Sequence, residues 1–312
     1  MQKVAADCLS GSFFRNELCS QTGTAKDCCK QSLSRTERDV MERRPVLITL
    51  TTDFGLQDPY VGQLKGALLK RCPAATIVDL THAIPAWDAA AAARAIRSSY
   101  QYFPDGTIHL IVVDPGVGGR RSILVASGDG HFFIAPDNGI LSMLVADSKI
   151  ETIHRCDRPE FFPSSASATF HGRDIMAPIA AALAVSPDLA RFGPVMEPES
   201  IQMISVRKSV WKDDCVCGRV QWIDHFGNVH TSIQADDIAY RLAAFDFLQI
   251  GEHRISQFGR TYEDAPSGSL LVLIDSVGYV EIAANQASAA ALVGCIPGDP
   301  VTVCFLSTGI NV

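Results

Sequence analysis

Apolar residues in this chain fall in short runs, and the spacing between runs changes along its length. Val46-Leu47-Ile48-Thr49-Leu50 reads as a strand buried on both faces, and it ends at Thr51-Thr52-Asp53-Phe54-Gly55. A helical pattern follows over 60–70, a strand over 76–80, an alanine-rich helix over 86–100 and a third strand over 107–113. Strand and helix in alternation predict an α/β domain with a mostly parallel sheet covered on both faces, where ligands sit at the carboxyl ends of the strands. Asp53 and Asp114 both fall at such ends, so one crevice is expected to hold both. Another helix is expected from Thr169-Phe170-His171-Gly172-Arg173-Asp174 through Ala184, with Pro178 in its early turns.

Beyond a connection over 186–200 that carries Pro187, Pro194 and Pro198, the helical period is lost. Short runs at 215–223, 228–233, 247–250, 269–274, 279–284 and 300–305, separated by glycine and acidic turns, suggest a small antiparallel barrel or sandwich. The expected organisation is an α/β domain over 46–200 followed by an all-β domain over 201–312. Residues 1–45 are polar, have no periodicity and lack the apolar centre of a secretory signal. Asp7, Glu17, Asp27, Glu37 and Asp39 also argue against an organellar transit peptide, which leaves a disordered extension or an upstream start before Met41.

Composition narrows the class of partner. A net charge of -7 with no basic stripe argues against nucleic acid, and no apolar run approaches the roughly 18 residues of a membrane span. A small molecule is the expected ligand. Of the 10 cysteines, Cys8, Cys19, Cys28 and Cys29 crowd the first thirty residues, and Cys215-Val216-Cys217 places two thiols on one face of a strand. None has zinc-site spacing, so no metal is expected, and the remaining thiols read as buried and reduced in a cytoplasmic protein.

The stretch Ile108-His109-Leu110-Ile111-Val112-Val113-Asp114-Pro115-Gly116-Val117-Gly118-Gly119-Arg120-Arg121 runs a strand into a glycine turn. A phosphate cradle needs a helix after such a turn. Here Ser122-Ile123-Leu124-Val125-Ala126 reads as a second strand, and what remains is Asp114 and Arg121 brought together across the turn. Singly, Asp114, Arg121 and His171 are compatible with a turn cap, a surface ion pair and a helix cap. Jointly they could activate a water: a histidine at a helix N-terminus is biased to its neutral form, an arginine stabilises negative charge, and an aspartate orients either. Further on, Trp222-Ile223-Asp224-His225-Phe226-Gly227-Asn228 breaks a strand at a Phe-Gly turn, either as a plain hairpin or as a carboxylate and amide presented to an amino acid.

Five segments taken in order carry a resemblance: Thr51-Thr52-Asp53-Phe54-Gly55, Val113-Asp114-Pro115-Gly116-Val117-Gly118, Ala135-Pro136-Asp137-Asn138-Gly139, Phe170-His171-Gly172-Arg173-Asp174 and Asp224-His225-Phe226-Gly227-Asn228. Together they resemble the S-adenosyl-L-methionine (SAM) hydroxide adenosyltransferases, the SAM hydrolases related to fluorinase and chlorinase, over roughly residues 46–305. The resemblance implies an N-terminal α/β domain, a C-terminal β-barrel and a homotrimer with SAM held between subunits. It implies hydrolysis of SAM to adenosine and L-methionine by attack of water or hydroxide at the ribose C5′, with SAM as substrate and no cofactor. Asp114, Arg121 and His171 map onto the catalytic set, Asp53 onto the ribose-binding aspartate, and Asp224 and Asn228 onto the residues that receive the methionine portion, with Phe226 beside them. The adenine-side segment resembles Ser276-Val277-Gly278-Tyr279 and Ala284-Asn285-Gln286-Ala287-Ser288-Ala289, so Ser276, Tyr279 and Asn285 join the substrate-binding set. Two rival readings are a non-catalytic SAM or adenosine sensor and a halogenase, whose members carry an added loop in the first domain and lack the Asp-Arg-His set.

Overall fold

The structure, a computed structural model, describes residues 46–204 and 209–307. The expected disordered extension over 1–45 and its four cysteines lie outside the described residues. The chain divides into two compact units after Ile201.

In the first unit, β1 (Leu47–Thr52), α1 (Tyr60–Arg71), β2 (Thr76–Thr81), α2 (Ala89–Ser99) and β3 (Ile108–Val112) form the predicted alternation. Two further strands, β4 (Ile123–Gly128) and β5 (His131–Pro136), make a hairpin, followed by α3 (Ser142–Ala146), β6 (Thr152–Cys156), α4 (Ala177–Val185) and β7 (Val195–Met196). The sheet order is β2-β1-β3-β5-β4-β6-β7. Pairing is parallel from β2 to β5 and antiparallel from β5 to β7, so the sheet is mixed. The change of direction comes at the β4–β5 turn, where Asp129 and Gly130 both take positive φ and permit a tight hairpin in place of a helical crossover. One apolar layer, with Leu64, Leu68, Ile179 and Leu183, packs on one face of the sheet. A second, with Ala92, Ile96, Leu141 and Leu144, covers the other. Strands β5 and β6 carry no expectation from the sequence, because the strand-helix alternation that reveals β1 to β3 stops at this hairpin.

The second unit contains β8 (Val210–Lys212), β9 (Cys215–Ile223), β10 (Val229–Gln234), α5 (Ala235–Ile238), β11 (Phe245–Ile250), β12 (His253–Ile255), β13 (Leu270–Ile274), β14 (Tyr279–Ala284), α6 (Ala289–Val293) and β15 (Pro300–Phe305). Its sheet runs β12-β11-β15-β9-β10-β14-β13, with antiparallel neighbours throughout. The two margins nearly meet. Just past β12, Gln257 accepts from the Val272 amide and Gly259 donates to the Val272 carbonyl, which closes the sheet into a barrel. Val216, Val220, Val229, Ile233, Leu248, Val280, Ile282 and Val303 fill its core.

The cysteines depart from expectation. Register places Cys215 directly opposite Cys304 on β15, and the two are joined as a disulfide. Cys72, Cys156, Cys217 and Cys295 are free thiols, with Cys156 and Cys295 buried. No helix of the described residues is long and apolar enough to cross a membrane.

Candidate active site

Two glycines permit the first site. A Cβ on Gly118, which takes φ +77°, would lie 2.4 Å from the Ala168 carbonyl oxygen, and a Cβ on Gly172 would lie 2.7 Å from Val112 Cγ1. The glycine turn after β3 can therefore press against the 168–171 loop, and the helix start after His171 can press against β3. The turn is a close-packing device, and it brings three distant side chains together.

Arg121 Nε donates to Asp114 Oδ1 at 2.9 Å and to Oδ2 at 3.0 Å, while its Nη2 also reaches Oδ2. The same Nη2 lies 2.9 Å from His171 Nδ1. A guanidinium can only donate, so Nδ1 accepts and the ring's proton sits on Nε2. The electrostatics agree: burial and then the Arg121 charge lower the His171 pKa, against a smaller opposing pull from Asp114 and Asp174. His171 is thus a neutral imidazole whose basic nitrogen faces a fixed cation. The pair beneath it is well sheltered, the Asp114 and Arg121 side chains being 5% and 11% exposed. Asn138 Nδ2 donates to the carbonyl of Val113 at 2.8 Å and so pins the strand end that carries Asp114.

Asp53 follows β1, and its Oδ2 accepts from the Trp87 amide at 2.9 Å. Trp87 itself takes φ +66° and stands 73% exposed. Phe54 packs edge-on against Phe170 at 5.6 Å, with the Arg173 guanidinium 4.7 Å from the Phe170 ring centre. Asp53, Phe54, Trp87, Asp114, Phe170 and His171 line one cavity of ≈ 170 Å³. The structure therefore brings Asp53, Asp114 and His171 to a common cavity with Arg121 behind it. Trp87 escaped the sequence reading, which placed it inside the helix expected over 86–100; the helix begins only at Ala89, with Asp88 as its cap, and leaves Trp87 in the loop before it.

The second unit holds a larger groove of ≈ 710 Å³, lined in part by Asp224, Phe226, Asn228, Tyr262, Asn285 and Ser288. Asp224 Oδ1 accepts from the amides of Phe226 and Asn228, both at 2.9 Å, and Oδ2 accepts from Asn228 Nδ2 at 3.0 Å. The Asp-to-Asn segment is thus a hairpin and a presented carboxylate at once. Gly227, with φ +86°, lets this turn lie against Ser288, whose Oγ would be 2.0 Å from a Cβ placed there. Phe226 is left 74% exposed beside the groove. Asn285 is anchored to the Ala265 carbonyl at 2.8 Å, and Gln286 rather than Ala287 takes the positive φ of that loop.

Ser276 and Tyr279 lie elsewhere. Ser276 sits in the turn between β13 and β14 and Tyr279 opens β14, so both are separated from Asn285 by the length of that strand, about 20 Å at strand rise. Ser276 is exposed and Tyr279 is buried edge-on to Trp222. Tyr262 and Glu263 line the groove without having been singled out, because they come from a loop with no hydrophobic pattern.

Comparison with known proteins agrees with this architecture. The model described as SAM hydroxide adenosyltransferase N-terminal domain matches residues 48–193, and the one described as SAM hydroxide adenosyltransferase C-terminal domain matches residues 218–302. An (R)-S-adenosyl-L-methionine hydrolase of Salinispora arenicola is 36% identical over 258 residues, covering 82% of this chain and 97% of the relative. A fluorinase of Nocardia brasiliensis is 29% identical over 279 residues, covering 80% of this chain and 93% of its own. The crystal structure of an uncharacterized conserved protein from Thermotoga maritima superposes with a TM-score of 0.77 at 32% identity, over 82% of this chain and 99% of that one.

Proposed function

From the premise that this chain belongs to the SAM hydroxide adenosyltransferase family, we propose that it hydrolyses S-adenosyl-L-methionine to adenosine and L-methionine. The observation that carries the reading is the Arg121 guanidinium bridging Asp114 and the neutral imidazole of His171 at the wall of a cavity that Asp53 also lines.

The substrate's sulfonium makes C5′ electrophilic and leaves as a neutral thioether, so the leaving group needs neither a proton nor a metal. The difficulty lies in the nucleophile. Arg121 favours hydroxide character on a bound water, and Asp114 fixes the guanidinium. His171 takes up the water's proton at Nδ1 as Arg121 turns an N–H from that nitrogen towards the developing hydroxide. The net reaction converts SAM and water to adenosine, methionine and one proton, which passes from His171 to solvent. Asp53 holds the ribose hydroxyls and aligns C5′ for in-line attack. Asp224 and Asn228 receive the amino-acid end with Phe226 beside them, and Asn285 serves the adenine side. Ser276 and Tyr279 are carried by the family resemblance alone.

A homotrimer with SAM shared between subunits belongs to the same proposal. It is supported by the small size of the ≈ 170 Å³ cavity, below the 300–1,000 Å³ that usually encloses a ligand of this size. A fully active monomer in sedimentation would remove it. A cytoplasmic location, with no nucleic-acid partner, is also part of it. A reducing compartment would hold open the Cys215–Cys304 disulfide seen in the structure, so alkylation of freshly quenched cells that finds the bond closed would count against this location.

Incubation with SAM in ¹⁸O-labelled water tests the main reading. Label is expected in the adenosine 5′-hydroxyl, unchanged by EDTA. Intact SAM would return the protein to the sensors, and a 5′-halo-adenosine formed with chloride or fluoride would make it a halogenase.

A further inference from the structure

A second group of buried ionisable side chains takes no part in that chemistry. His230 on β10 and Glu281 on β14 are direct partners in the strand register, as are His230 and Trp222 on β9. Their neighbours Val229 and Ile282 fill the barrel core, so His230 and Glu281 point to the opposite face. There they are nonetheless buried, at 8% and 2% exposure. Trp222 stacks flat on the imidazole, with ring centres 4.2 Å apart and 6° between planes.

Among the described residues, every ion-pairing neighbour of this ring is a carboxylate. Its Nδ1 lies 2.8 Å from Asp275 Oδ2 and 3.5 Å from Glu281 Oε2, and its Nε2 lies 3.7 Å from Asp224 Oδ2. The outer carboxylates are themselves fixed. Asp275 Oδ1 accepts from the amides of Val277 and Tyr279, and Tyr262 donates its hydroxyl to Glu281 Oε1 at 3.2 Å. His230 is therefore clamped on one side by groups that cannot follow it. Its other nitrogen, Nε2, faces Asp224, which with Glu263 is one of two carboxylates that line the groove.

We propose that His230 is a positioning residue for Asp224, and that its protonation sets how strongly the groove holds the substrate's α-ammonium group. The inference rests on the reading of Asp224 given above. In the imidazolium form, the Nε2 proton lies against Asp224 and competes with an incoming ammonium for the same oxygen. In the neutral form, Asp275 retains the proton on Nδ1, and Nε2 presents a lone pair to Asp224. The carboxylate then lacks a counter-charge, and an ammonium supplies it. Burial opposes charging of His230, but the Asp275 hydrogen bond and the charges of Glu281, Asp275 and Asp224 outweigh it and raise the pKa above its ordinary value. The transition thus falls above the ordinary histidine value. The 2.8 Å contact between Nδ1 and Asp275 is an ordinary hydrogen bond, which favours a shared proton over a metal ion.

Steady-state kinetics of SAM hydrolysis from about pH 6 to 9 provide the test. In the wild-type protein, KM is expected to fall about tenfold with rising pH, the effect of removing one charge beside a binding carboxylate. In His230→Gln, KM should stay near the wild-type high-pH value throughout, with the kcat profile superimposable on the wild type. Asp275→Asn should move the wild-type KM transition to lower pH, which a merely structural role would not do. A second arm is independent of turnover. The His230 ring proton resonances are titrated with L-methionine and with the same molecule lacking its amino group, and only L-methionine should lower the titration midpoint. If the wild type makes no adenosine, the hydrolase reading fails while this titration still decides the present one. Adenosine formation with an identical KM profile in His230→Gln would overturn the proposal, as would equal shifts with both ligands, or tight Zn²⁺ binding lost in the variant.

Discussion

His171 in the first unit and His230 in the second are both partly sheltered imidazoles in hydrogen-bonded networks beside a cavity, yet they are biased to opposite proton states. His171 faces the guanidinium of Arg121, so burial and charge act together to keep it neutral. His230 faces Asp275, Glu281 and Asp224, so charge overrides burial and favours its cationic form. Burial alone does not decide a histidine's charge; the sign of what surrounds the ring does. The difference fits a division of labour, with a base for chemistry in one unit and a titratable competitor that tunes recognition in the other.

The largest expected effect breaks the first half of this contrast. His171→Ala and Arg121→Ala should each lower kcat by roughly 10²–10⁴ while changing KM little, as removal of acid-base assistance does. Native turnover in either variant would end the catalytic assignment. Stability provides the next test, through His109. That ring is wholly buried, with Nδ1 2.7 Å from Thr49 Oγ1, and burial followed by His131 lowers its pKa to about 3. The unfolded chain binds this proton below about 6.5 and the folded one does not. Stability is therefore full above 6.5 and declines as pH falls towards 3, by on the order of 4 kcal/mol. Denaturant titrations at several pH values should show this slope in the wild type and a shallower one in His109→Phe. His230 has the opposite sign: its contribution is complete below the ordinary histidine pKa and is lost as pH rises through its raised folded value.

Smaller effects sharpen the second half. Asp224→Asn should raise KM by about 10- to 100-fold, the range of a charge-assisted hydrogen bond, with kcat nearly intact. Gly118→Ala strains a left-handed turn against the Ala168 carbonyl and should cost about 1–3 kcal/mol in thermal unfolding while weakening the contact between Arg121 and His171. Smallest is Tyr262→Phe, which removes one donor from Glu281 and should cost roughly 1 kcal/mol.

Much of this was legible in the sequence wherever a period or a motif carried it. Strands β1, β2, β3, β9, β10 and β13 to β15 emerge within a few residues of their observed limits, because buried strands are unbroken β-branched runs. The encounter of Asp114 with Arg121 follows from the turn between them; His171 joins them on its chemistry at a helix start and on the family pattern, since nothing local ties residue 171 to residue 121. Strands β5 and β6 were missed where alternation gives way to a hairpin, and the Cys215–Cys304 bond because it depends on register between strands 89 residues apart. His230 and Glu281 did leave a trace: each is an ionisable residue set singly inside an apolar strand, at positions the period alone would assign to the outer face. Besides Trp222 of β9, what covers that face is the loop that carries Tyr262, and loops have no period.

The seven-stranded sheet of the first unit ends on β7, which is only two residues long and is flanked by Pro194 and Pro198. Neither proline can donate an amide proton, and so brief a margin offers little template for a stray extended chain. Aggregation by adding strands to that border is accordingly discouraged by the sequence itself, and a variant replacing both prolines is where fibrillar association should first begin.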